Sequence, residues 1–79
     1  MKRATGRIVV VQENRFRLVT EAGRAHLFIL AHDAAVEAQD LPPLQREQTR
    51  VTVDYSDSPD RIAFIAHRLT DDPARRIMP

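Results

Sequence analysis

The sequence predicts an all-β fold: a five-stranded antiparallel barrel with a short helical segment between the third and fourth strands. Three observations carry this. Five segments of strand length are rich in β-branched residues or alternate between apolar and polar side chains. A single stretch, residues 33–48, has a helix-favouring composition instead. A chain of 79 residues is one domain whose short strands must curl and close, because a flat sheet would expose its edges and half its core.

Thr5 to Gln12 reads as the first strand, with Gly6 suited to a bend or a close backbone approach. Glu13-Asn14 is a tight connection, in which Asn14 tolerates a left-handed turn. Arg15 to Thr20 alternates strictly, placing Phe16 and Leu18 on one face and Arg15 and Arg17 on the other. Glu21-Ala22-Gly23 is a hairpin turn with Gly23 supplying the positive φ. Arg24 to Ala31 is a third strand, apolar on both faces from Leu27 to Leu30.

Ala34, Ala35, Glu37 and Ala38 favour helix, with Asp33 as a cap. A second helical turn begins at Asp40, tolerates proline in its first turn, and sets Leu41 and Leu44 on one face. Thr49 to Tyr55 directs Val51, Val53 and Tyr55 inward and Arg50, Thr52 and Asp54 outward. Ser56 to Asp60 reads as a turn, and Arg61 to Leu69 as the last strand. Residues 1–70 therefore make one barrel, and residues 71–79, without usable periodicity, are expected to be a disordered tail. The predicted core is Phe16, Leu18, Leu27 or Phe28, Val51, Val53 and Ile62 or Phe64.

Composition narrows the function classes. Without cysteine there is no disulfide and no thiolate zinc site. His26, His32 and His67 follow no metal-ligand spacing, so neither metal nor cofactor is expected. Two glycines cannot build a phosphate-cradling loop. Serine occurs only at 56 and 58, both in the predicted turn, and no carboxylates are paired against an apolar pocket. An enzyme is not expected. The charged start Met1-Lys2-Arg3 has no apolar stretch behind it long enough for a signal peptide. The longest apolar runs, Ile8 to Val11 and Leu27 to Ala31, are strand-sized. A soluble, cytoplasmic protein without a membrane association is the expectation.

Net charge is only +1, but it is unevenly spread. Lys2, Arg3, Arg7, Arg15, Arg17 and Arg24 make the first third basic, while Asp33, Glu37, Asp40, Glu47, Asp54, Asp57 and Asp60 make the middle acidic. The molecule is polarised if the fold keeps these segments on different sides.

Three strands, a helical connection and two more strands is the element order of the oligonucleotide/oligosaccharide-binding (OB) fold. An SH3-like barrel would not normally place its helical segment there. Within the OB class the chain resembles the cold-shock domains over roughly residues 5–69. Thr5-Gly6-Arg7-Ile8-Val9 is similar to their opening T-G-x-V strand. Asn14-Arg15-Phe16-Arg17-Leu18-Val19 sits where they carry K-G-F-G-F-[IV], and Leu27-Phe28-Ile29-Leu30 where they carry V-F-V-H. Leu41, Leu44, Val51 and Val53 fall on their leucine-containing loop and alternating fourth strand.

The resemblance implies binding of single-stranded nucleic acid, but its stacking residues are replaced. The strand-one tryptophan is Val10 here, the second-motif histidine is Leu30, and the glycines flanking the key phenylalanine are Arg15 and Arg17. In the family those glycines face the barrel. Arginines cannot do so without burying unpaired charge, at a cost of several kcal/mol. Phe16 and Leu18 are therefore expected inside and both arginines outside.

The candidate binding residues are accordingly Arg7, Arg15, Arg17 and Arg24, an arginine platform on the outer face of the first three strands. Arginine forks phosphate bidentately and stacks on bases. Two function classes follow. One is a non-enzymatic module for single-stranded RNA or DNA, electrostatic, salt-sensitive and weakly selective. The other is a protein-interaction or structural barrel on which the arginines are a solvated strand face.

Overall fold

The computed structural model describes residues 1–58 and 63–71. The chain runs through strands β1 (Lys2–Gln12), β2 (Arg15–Thr20) and β3 (Ala25–Leu30). A 3₁₀ turn (Ala38–Asp40) and helix α1 (Leu41–Arg46) follow, then β4 (Arg50–Asp57) and β5 (Phe64–Asp71). The strands close into a barrel in the order β1-β2-β3-β5-β4, with the helical segment between β3 and β4 as the sequence predicts. All seams are antiparallel except β3–β5, a short parallel seam that matches Phe28, Ile29 and Leu30 with Phe64, Ile65 and Ala66.

Alternation settles which residues fill the barrel. Phe16, Leu18, Phe28, Val51 and Val53 are buried, joined by Ile8, Leu30, Ala66 and Leu69. Phe28 rather than Leu27 takes the inward place on β3, because it pairs across from Phe16 and their rings stack 5.2 Å apart. Phe64 and Tyr55 lie half-buried against this core, their centroids 4.8 Å apart. Ile62 lies outside the described residues.

Helix α1 closes one end of the barrel. Leu41 at its first position is fully buried and Leu44, one turn on, packs against the same core, so the shared face read from their spacing is the docking face. Pro42 occupies the first turn, where its missing N–H has no partner to lose. Asp40 precedes the helix, but its side chain turns back and accepts from the Glu37 N–H at 3.1 Å, closing a capping box on the 3₁₀ turn.

The helix expected from Ala34 to Ala38 does not form. Ala34, Val36 and Ala38 are half-buried against the core while Asp33, Ala35 and Glu37 are exposed. That is a two-residue period, and burial of every second side chain overrides the helical propensity of alanine. Two turn assignments also change. Glu13, not Asn14, adopts the left-handed conformation (φ 55°), and Asn14 instead accepts from the Leu30 N–H at 2.9 Å. Ser56 belongs to β4 rather than to a turn, since pairing with β5 continues through Asp57. At Gly23 the expected positive φ is present, at 86°.

At Gly6 the β2 backbone comes close to β1. A Cβ there would lie 2.1 Å from the Val19 carbonyl oxygen, so only glycine fits. Just beyond it a bulge at Val9 shifts the β1–β2 register between Ile8 and Val10. The Gln45 side-chain amide of α1 donates to the Val9 carbonyl at 3.0 Å. At the chain's other end β5 continues through Asp71, which pairs with Val51, so the expected tail yields its first residue to the strand. Residues 72–79 lie outside the described residues.

Candidate nucleic-acid interface

On the outer face of β2, Arg15 and Arg17 are exposed and Phe16 and Leu18 are buried, the register that burial of charge demands. Arg17 is flanked by Val10 of β1 and Leu27 of β3, and Arg15 by Gln12 and Ile29. Ile29 in turn faces Ile65 of β5. Two guanidinium groups thus stand in a field of aliphatic side chains. A small concavity of about 190 Å³ opens among Val10, Gln12, Arg15, Arg17 and Leu27. A larger groove of about 730 Å³ lies on the far side of Ile29, walled by Asn14, Ala34, Val36, Glu37 and Ile65.

The four predicted site residues are all exposed, but the fold does not gather them into one cluster. Arg15 and Arg17 are neighbours two residues apart on β2. Arg7 lies across from Val19, another two residues along β2, about 7 Å further. Arg24 sits in the turn before β3, beyond the same end of β2, with its N–H on the Thr20 hydroxyl at 3.3 Å. The four make a line along β2 instead of a patch.

Charge is also less polarised than the sequence implies, because β1 pairs with β4. Lys2 reaches Asp57 at 3.2 Å and Arg3 reaches Asp54 at 2.9 Å. Arg50 is bonded to Glu21. Among the described residues Arg7, Arg15, Arg17 and Arg24 make no ion pair, so the line along β2 is a basic surface with charge to offer a ligand.

The sequence reading missed the apolar part of this face. Val9 and Val10 are 38% and 46% exposed because the bulge turns both outward. Strict alternation would have buried one of them. The run Val9-Val10-Val11 was the available signal, since an unbroken apolar run cannot be assigned to faces by period alone.

All four aromatic residues join one internal cluster: Phe16, Phe28, Tyr55 and Phe64, with the His26 ring 5.5 Å from Phe64. None stands on the outer face of β2 beside the arginines.

The remaining chemistry-bearing contact joins Ser56 and His67. The Ser56 hydroxyl and His67 Nε2 are 2.7 Å apart on the outer face of β4 and β5, where a second register shift accommodates His67. Among the described residues no carboxylate orients the other ring nitrogen, so the pair is a cross-strand hydrogen bond without the third member of a nucleophilic triad. No group of three His, Cys, Asp or Glu side chains converges among the described residues. No helix among them is long and apolar enough to cross a membrane. No protein-family model matches the chain, and neither a curated protein nor a solved structure does.

Proposed function

We propose that the chain is a non-catalytic, cytoplasmic OB-type module that binds single-stranded RNA or DNA across the outer face of β1, β2 and β3. The observation carrying this reading is the pair Arg15 and Arg17, exposed, two residues apart on the outer face of β2 and without ion pairs among the described residues. Arg7 and Arg24 extend the line towards the β2–β3 turn. Phosphates supply the affinity, and the aliphatic groups of Val10, Leu27 and Ile29 offer bases contact without sorting them. With every aromatic ring in the internal cluster, the stacking increment of about 1–3 kcal/mol per base is absent and binding is weak.

The test is chemical-shift mapping with a short polypyrimidine strand at low and then moderate salt. Shifts centred on residues 10, 15–17 and 27–29 that fade with salt support the reading. No shifts even at low salt remove it. The exposed Val9 and Val10 and the half-exposed Leu27, Ile29 and Ile65 favour a second reading, a protein-interaction face, since interface cores combine apolar groups with arginine. That reading takes over when nucleic acid leaves the spectrum unchanged.

A further inference from the structure

The β3–β5 seam is short and ends in a groove. Its last pairs are Ile29 with Ile65 and Leu30 with Ala66, and the Ala31 N–H then donates to the Ala66 carbonyl at 2.9 Å. A turn follows, in which the Ala34 N–H donates to the Ala31 carbonyl at 3.1 Å. Beyond it, the extended segment packs Ala34, Val36 and Ala38 against the core. Segment and seam together border the groove of about 730 Å³. Alanine at 31, 34 and 38 keeps it open where larger side chains would fill it. Sites that hold small organic ligands fall in the same range, about 300–1,000 Å³.

The lining decides what can enter. Ile29, Leu30, Ile65 and Val36 make it apolar, and Glu37 sets a carboxylate against any phosphate. The Asn14 amide and the His32 imidazole also border it, and each offers a donor and an acceptor. An uncharged ring with apolar faces and a polar edge meets these conditions. A cation stands within reach. One row across the outer face runs Gln12, Arg15, Ile29, Ile65, which sets Arg15 about 10 Å, two strand spacings, from Ile65. A nucleotide holds its phosphate and its base apart on that scale. The row of Arg17 reaches Leu27, and β3 meets β5 only from Phe28 onward, so the groove serves the Arg15 row.

We propose that this groove is a subsite for one unstacked nucleobase, that of the nucleotide whose phosphate lies on Arg15. The subsite rests on the reading of the β2 face as a single-strand surface and gives that surface a fixed point. Phosphates ride on Arg15 and Arg17, one base turns over Ile29 into the groove, and the others stay on the open sheet. Contact with the floor is apolar and the polar groups at the rim both donate and accept. The groove therefore takes any base, and it fixes the position of the strand instead of its sequence.

The experiment titrates the intact chain at low salt with three pentanucleotides: one wholly abasic, one abasic except for a single thymine, and one with thymine throughout. Fluorescence anisotropy gives the affinities, and the amides of Ile29, Ala31, Ala34 and Ile65 follow the groove. The single thymine should tighten binding about threefold to tenfold over the abasic strand, through apolar burial. It should move those amides and leave the salt slope unchanged, since the phosphates are the same. Each further thymine should add less than the first. Ala34→Leu, which fills the groove, and Ile65→Ser, which strips its floor, should each remove the gain from the thymine while the abasic strand still binds. Either variant suffices if the other misfolds. A gain in proportion to the number of thymines, groove amides that ignore the base, or a gain kept in a folded variant would each overturn the proposal. Abasic binding centred on Arg15 and Arg17 would in those cases leave the phosphate-binding face standing, whereas no binding of any strand would remove the face and the subsite together.

Discussion

Gln45 and Val9 are joined by a 3.0 Å hydrogen bond from the side-chain amide of α1 to the carbonyl that the β1 bulge removes from the sheet ladder. The bond accounts for how a helix of six residues is oriented on the barrel, since Leu41 and Leu44 supply burial but no direction. Gln45→Ala should lower stability by about 0.5–1 kcal/mol, a modest figure because water can replace the amide at this exposed position. Urea denaturation gives the magnitude. Hydrogen exchange should quicken at residues 8–11 and leave β4 unchanged.

Gly6→Ala should be far more damaging. The added methyl would meet the Val19 carbonyl oxygen at 2.1 Å, and the nearest atoms are all β2 backbone, with no flexible side chain to yield. A loss of about 2–3 kcal/mol is expected from overpacking. The same substitution at Gly23, where a Cβ meets nothing within 4 Å but φ is 86°, should cost about 1 kcal/mol from backbone strain alone. A thermal-melt ranking with Gly23→Ala as the worse of the two would contradict the close approach of β1 and β2.

How much was legible in the sequence follows from what kind of signal each residue carried. Arg15-Phe16-Arg17-Leu18 has two charges that cannot be buried, so its register is decided locally and the structure agrees. The helical turn at Leu41 to Leu44 was legible from prolines and leucine spacing. Val9-Val10-Val11 was not, because the bulge depends on pairing with β2 and on Gln45, thirty-six residues away. Residues 33–37 misled for a related reason: alanine is equally content in a helix or in an extended segment that buries each second side chain. Of the candidate site, the identity and exposure of the arginines could be read, whereas their partners could not. The ion pairs of Lys2 and Arg3, and the pairing of Arg7 with Arg50, exist only once β1 lies beside β4.

Leu41→Ala should separate the helix's burial from its orientation. Leu41 is fully buried, so its truncation leaves a cavity at the closed end of the barrel and should cost about 2–5 kcal/mol. Leu44→Ala, at a half-buried position, should cost less than that. In a domain of this size the cost at Leu41 is a large share of the folding free energy, about 4–12 kcal/mol at the usual stability per residue. Circular dichroism of Leu41→Ala should therefore show a clearly lowered melting temperature, and a cooperative melt near that of the wild type would mean that α1 does not close the barrel.

The functional prediction turns on Arg15 and Arg17 being outside the core. Replacing both with serine removes two exposed charges that make no ion pair among the described residues, so the denaturation midpoint should stay within the range of ordinary surface changes, about 0.5 kcal/mol. Binding to single strands should respond differently. Each phosphate neutralised contributes about 0.7 to the slope of log affinity against log salt, so the double variant should lose about 1.4 from that slope. Base composition should matter little in either protein, because the rings that would discriminate by stacking lie with Phe28 and Tyr55 in the internal cluster. Fluorescence anisotropy across a salt series measures the slope for wild type, Arg15→Ser/Arg17→Ser and Arg7→Gln in parallel. A slope unchanged in the double variant but reduced in Arg7→Gln would move the interface to the β1–β4 seam, and a slope unchanged in both would remove the outer face of β2 as a nucleic-acid surface.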